Sequence, residues 1–193
     1  MKRNIEKAFA FLIEIDKMKT IQRRSLTYDG SKREDDAEHS WHLAMMALIL
    51  EPYAPEPVDI TRVLKMTLVH DLVEIYAGDT FAFDVKGHED KAARETAAAE
   101  KLFSLCEEAG PLRALWEEFD AAETPDAKFA ASLDRIQPLI SNHLNNGFTW
   151  VQGNVTRAQV DAREEVVKEG LPAAWDYVQS IIENGVKNGF IKP

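Results

Sequence analysis

The stretch Val63-Leu64-Lys65-Met66-Thr67-Leu68-Val69-His70-Asp71-Leu72-Val73-Glu74 sets an adjacent His-Asp pair inside an otherwise apolar, helix-patterned run. An aspartate is rarely buried without a partner, and a cation is a natural compensation for its charge. Two distant positions, His39 and Asp134, offer matching groups. Imidazole nitrogens and carboxylate oxygens are the donors that a borderline or hard divalent cation accepts. His39, His70, Asp71 and Asp134 are therefore read together as one metal site, and the chain as a hydrolase. On a helix, His70 and Glu74 share a face one turn apart, with Asp71 one position round. Glu74 then lies within reach of a metal held by His70 and Asp71 without having to be a ligand, where a water-orienting base belongs. Two neutral histidines and two ionised aspartates nearly cancel a divalent charge. They leave positions for water and a substrate oxygen, and such a site makes hydroxide available near neutral pH.

Outward from this run the pattern stays helical, with no alternating strand pattern of useful length. Ile5, Phe9, Leu12 and Ile13 mark one face of a first helix over roughly residues 4–18. Residues 19–35 are polar and Gly-containing and read as a long loop. Asp35-x-x-Glu38 has capping-box spacing, which starts a second helix there, puts His39 in its first turn and runs it to about Leu50. Pro52 to Pro57 break the chain, and Asp59 caps a third helix that carries His70, Asp71 and Glu74 and stops at Gly78. Gly87 and His88 precede an Ala-rich helix ending near Gly110; Pro111 opens the next, and Pro125 opens the one that carries Asp134, with a kink or break at Pro138. Helices around 156–169 and 172–188 complete an all-α bundle of about seven or eight helices. It forms one domain over residues 1–193, with a metal-site core at about 24–146. Beyond about residue 147 no motif is assigned, and the Ala, Trp and Val positions there are expected to pack the bundle. Trp41 is likewise expected in the core, His42 and His143 as structural groups, and His88 as solvated.

A formal charge of −10 over 193 residues argues against binding a nucleic acid polymer, whose affinity comes from Lys and Arg on phosphates. A mononucleotide is compatible, since one metal and one Arg can neutralise one phosphate. The single Cys106 allows no intrachain disulfide and suits a reducing cytoplasm. No segment reaches bilayer-spanning length, and charged residues interrupt the N-terminal apolar positions, so neither a membrane span nor a signal peptide is expected.

The segments Ala37-Glu38-His39-Ser40-Trp41, Leu68-Val69-His70-Asp71-Leu72-Val73-Glu74, Gly78-Asp79-Thr80 and Ser132-Leu133-Asp134-Arg135 resemble the HD-domain metal-dependent phosphohydrolases. The likeness is greatest to the branch that contains bacterial 5′-deoxynucleotidases and their eukaryotic relatives. It implies an all-α fold, a homodimer, one divalent metal ion (Mn, Co, Zn, Fe or Mg), and hydrolysis of deoxynucleoside 5′-monophosphates. By this resemblance His39, His70, Asp71 and Asp134 match the metal ligands, and Glu74 the acid that aligns the attacking water. Asp79 and Thr80 match the segment that contacts the sugar and leaving oxygen. Arg24 lies where the family keeps a phosphate-orienting Arg, with Arg23 as the alternative. The family's bacterial deoxynucleotidases place a Trp directly after that Arg; here it is Ser25, which leaves the choice between deoxy and ribo substrates open. Three alternatives compete with this reading. Small HD hydrolases of guanosine tetraphosphate (ppGpp) typically carry Glu-Asp where this chain has Glu74-Ile75. A non-catalytic nucleotide- or partner-binding HD module would have no need of Glu74. A diiron HD oxygenase would need extra histidines between Asp71 and Asp134, where only His88 lies.

Overall fold

The computed structural model describes residues 4–193. Asn4 accepts hydrogen bonds from the amides of Glu6 and Lys7 and so starts α1 (Ile5–Ile15), which a tighter turn continues to Thr20. Phe11 is buried, but the face marked by Ile5, Phe9, Leu12 and Ile13 points outward. Residues 19–35 are not simply a loop. Gln22–Leu26 (β1) and Arg33–Asp35 (β2) pair as an antiparallel ribbon. Its inward positions, Arg23, Ser25 and Glu34, are polar, so no hydrophobic alternation announces it.

Asp35 closes a capping box with Glu38 and opens α2 (Asp36–Leu50). Asp59 caps α3 (Ile60–Val69). The third helix predicted to run to Gly78 is interrupted directly after Val69. Leu72 N donates to Val69 O at 3.1 Å and Glu74 N to Asp71 O at 2.9 Å, an overwound turn that leads into the single turn α4 (Glu74–Ala77). Gly78 ends it at φ 78°, ψ 149°, a conformation open essentially to glycine alone.

Next come α5 (Lys91–Phe103), α6 (Gly110–Ala121) and α7 (Pro125–Leu144). α5 stops short of Gly110 because Ser104 Oγ takes the Lys101 carbonyl and Cys106 turns extended. α7 is not broken at Pro138. The chain closes with α8 (Phe148–Gly153), α9 (Arg157–Glu164), α10 (Val167–Gly170) and α11 (Trp175–Lys187). The predicted helix over 156–169 is thus two pieces, and α8 was not anticipated. α1, α2, α3, α5, α6, α7, α9 and α11 each span eight residues or more, so the molecule is mostly α-helical around one small ribbon.

α7 is the spine: it packs against α2, α3, α6, α9, α10 and α11. At Gly170 the approach is so close that a Cβ would sit 2.1 Å from the Lys128 carbonyl oxygen of α7. α7 also fastens the ribbon, through Ser141 Oγ to Leu26 O at 2.8 Å and Asn145 Nδ2 to Thr27 O at 3.1 Å. Buried apolar side chains form one cluster from Phe11 to Ile191, which takes in Trp150, Val155, Val160, Val167 and Val178. Trp41 is not in that core: it is 65% exposed. α2 is apolar on both sides, with Leu43 and Ala47 inward and Trp41, Met45, Leu48 and Ile49 outward, so periodicity could not tell which side faces the bundle. Among the described residues no helix is long and apolar enough to cross a membrane.

Candidate metal centre

Two helices and the turn between α3 and α4 bring the four motif residues together. His39 comes from the first turns of α2, His70 and Asp71 from the overwound turn, and Asp134 from the middle of α7. His39 Nε2 lies 2.9 Å from Asp134 Oδ1 and 3.9 Å from Asp71 Oδ2. His70 Nε2 lies 3.0 Å from Asp71 Oδ2 and 3.7 Å from Asp134 Oδ1. Donors held about 2.1 Å from one ion sit about 3–4 Å from each other, and these separations match.

The far side of each imidazole is already engaged. Gln137 Nε2 donates to Glu34 Oε1 at 2.7 Å and faces His42 Nδ1 at 3.3 Å, so its Oε1 accepts from His39 Nδ1–H at 3.1 Å. His70 Nδ1–H donates to Thr67 O at 3.0 Å. Both rings therefore aim Nε2 at the carboxylates, the orientation that metal-binding histidines take from their outer partners. His70 Nε2 is buried without a hydrogen-bond partner.

Electrostatics point the same way. Burial and the Arg23 charge bring His39 down to about 4, so it is neutral. Burial alone would do the same to His70, but Asp71 and Asp134 carry it up to about 10. The two carboxylates thus draw a positive charge into the space that they share with the imidazoles. The N2O2 set fits a divalent cation on geometry, ring orientation and charge.

Beside it, Asp36, Asp71 and Glu74 bring a second group of carboxyl oxygens within 4.8 Å of one another. Glu74 is buried, and its Oε2 has no hydrogen-bond partner. Burial, then the charges of Asp71 and Asp36, push its carboxyl far above the usual range. Asp36 was not anticipated, since its position after the cap reads as an ordinary first-turn acid. It is fully buried and accepts from Arg23 Nη1 at 3.2 Å. Arg23 Nη1 also donates to Asp71 Oδ2 at 2.6 Å.

Arg23 and Ser25 share the inward face of β1, while Arg24 turns the other way and places its guanidinium 4.6 Å from the Phe81 ring centre. Both arginines line a cavity of about 180 Å³ with Asp71, Glu74, Asp79 and Thr80. Asp79 is half-buried, and burial, only partly offset by Arg23, raises its pKa. Thr80 Oγ1 accepts from Arg94 Nη2 at 3.1 Å, and Arg94 also reaches Ala77 O and Gly87 O, which fixes the segment after Gly78 as one cavity wall. Ser25 is buried and donates to Glu34 Oε2 at 3.1 Å. Arg135, Arg163 and Glu164 also line the cavity. The last two lie in the region where no motif could be assigned, and nothing local in α9 marks them.

The model of the HD domain family matches residues 15–175. A 5′-deoxynucleotidase HDDC2 of Danio rerio is 29% identical over 136 residues, which cover 69% of this chain and 66% of that protein. The human protein of the same name is 28% identical over 133 residues, 67% and 64% of the two chains. The aligned part thus spans about two thirds of the length of these curated relatives. Among solved structures, a predicted metal-dependent phosphohydrolase from Magnetospirillum magnetotacticum MS-1 superposes with a TM-score of 0.92 at 44% identity, over 100% of this chain and 97% of that one. The PH0347 protein of Pyrococcus horikoshii OT3 shares the fold, with a TM-score of 0.64 at 22% identity over 91% and 98% of the chains.

Proposed function

Since this chain belongs to the HD-domain family, we infer that it is a metal-dependent phosphohydrolase, one domain throughout, that removes phosphate from (deoxy)nucleoside 5′-monophosphates. The observation that carries this reading is the pair of imidazoles anchored at Nδ1 and aimed through Nε2 at Asp71 and Asp134, with the buried Glu74 carboxyl, its Oε2 unpartnered, beside them. His39, His70, Asp71 and Asp134 would hold one divalent cation. When bound, that cation supplies Lewis acidity, acidifying water and neutralising phosphoryl charge.

The remaining work falls to the chain's own groups. Glu74 orients a water in line with the phosphorus and takes its proton as the oxygen attacks. Arg24, which is not drawn into the carboxylate cluster, stabilises the charge on the phosphoryl oxygens. As the ester P–O bond breaks, Asp79 gives a proton to the departing 5′-oxygen, a role that its raised pKa supports. Thr80, tied to Arg94, sets the position of Asp79 and the sugar.

A panel of deoxy- and ribonucleoside 5′-monophosphates, assayed for phosphate release with Mn²⁺ or Co²⁺ after chelation, tests the reading. Release from deoxy forms alone defines a deoxynucleotidase; equal release from both makes a broader nucleotidase, with Ser25 as the reason. No release from a metal-loaded protein overturns the reading in favour of a ppGpp hydrolase or a binding module.

We also propose a homodimer, built on the outward face of α2 and the exposed apolar residues of α1. A cytoplasmic setting is supported by the single, buried thiol of Cys106. Leu48→Glu places a charge on that face and is expected to convert the dimer to monomer in sedimentation analysis. A wild-type protein that sediments as a monomer would sink the dimer.

A further inference from the structure

Arg135 and Arg163 line the cavity of about 180 Å³, and both also line an adjoining groove of about 550 Å³, together with Phe83 and His88. The cavity alone is smaller than the roughly 300–1,000 Å³ of most small-molecule sites. A nucleotide would have to occupy both spaces, and the two arginines stand where they meet.

Among the described residues the Arg163 guanidinium makes no ion pair or hydrogen bond, and that of Arg135 makes one pair. Burial, followed by the charge of Arg135, lowers Arg163 to about 10. Arg135 is paired with Asp134 Oδ2, whereas both imidazoles approach Oδ1, so a single carboxylate oxygen faces the two guanidinium groups. Glu164 follows Arg163 in sequence, but it is buried with Oε2 unpartnered, and burial pushes it up to about 8, so it carries little charge at neutral pH. Two like charges in a half-buried neck call for an anion, and the planar guanidinium fork matches phosphate oxygens.

We propose that Arg135 and Arg163 form an oxyanion subsite at the neck between cavity and groove, which grips the substrate's phosphate on entry and inorganic phosphate after cleavage. The assignment of this phosphate to a substrate rests on the hydrolase reading above; the anion site itself does not.

Inorganic phosphate titrated calorimetrically into the folded protein, with and without Mn²⁺, tests it. Arg163→Gln is expected to weaken phosphate at least tenfold under both conditions. Arg163→Lys should recover part of the affinity, and Lys65→Gln, which removes the same charge from an exposed site on α3, should change nothing. Should Arg163→Gln fail to fold, Arg135→Gln carries the same expectation. Phosphate affinity within twofold of wild type in the folded Gln variant overturns the subsite. Weakened phosphate in a protein that hydrolyses no monophosphate keeps the subsite and removes the hydrolase; hydrolysis with unchanged phosphate affinity does the reverse.

Discussion

Glu74→Gln is expected to lower phosphate release about a thousandfold, within the range that general-base catalysis commonly supplies, while bound metal and melting temperature stay at wild-type values. The substitution keeps the shape of a buried side chain whose Oε2 already lacks a partner. It removes the cavity acid that stands directly beside the N2O2 set without belonging to it. In the metal-free protein Glu74 is held protonated by burial and by Asp71, so exchanging a neutral carboxyl for a neutral amide changes little in the fold. Metal analysis beside steady-state kinetics separates the alternatives. Lost metal would make Glu74 a ligand, and full activity would place the base elsewhere.

Gly170→Ala is expected to cost about 3 kcal/mol of stability or more, at the upper end of overpacking effects. The added Cβ would meet Lys128 O at 2.1 Å, Lys128 C at 2.4 Å and Ser132 Oγ at 2.4 Å. Two of these are backbone atoms of α7 and cannot rotate away. Only a shift of α10 away from α7 relieves the clash, and that opens the contact on which Val167 and Leu171 are buried. For a chain of this length the melting temperature should fall by roughly 6–12 °C. A fall of less than about 2 °C would show that the α7–α10 approach is looser than described.

The grouping of His39, His70, Asp71 and Asp134 was legible because its chemistry forbids the ordinary alternatives. An aspartate amid Leu, Val and Met needs a cation, and the capping box at Asp35 fixed where His39 would lie. What escaped was information of another kind. The turn at His70–Val73 looks helical in sequence because His70 and Val73 keep helical torsions while the hydrogen bonds there shorten by one residue. The ribbon escaped because its buried side holds Arg23, Ser25 and Glu34, which satisfy one another only once α7 is in place. Trp41 was misplaced since α2 is apolar all round, and such a helix reads as core whether its outer side meets its own chain or another. Arg163 and Glu164 reach the cavity through a long-range fold of α9 onto α7 that no local pattern encodes.

The fastening of the ribbon to α7 has a kinetic consequence. A two-stranded ribbon is marginal in water by itself and would exchange its amide hydrogens almost as a loop does. Here Ser141 and Asn145 tie its far end to α7, and the Arg23 bridge to Asp71 and Asp36 ties its near end to the start of α2. Opening the ribbon means letting go of the helix that carries Asp134. The protected amides of residues 22–35 should therefore exchange at the rate of α7, and the cavity's arginine-bearing edge and its Asp134-bearing spine open as one unit.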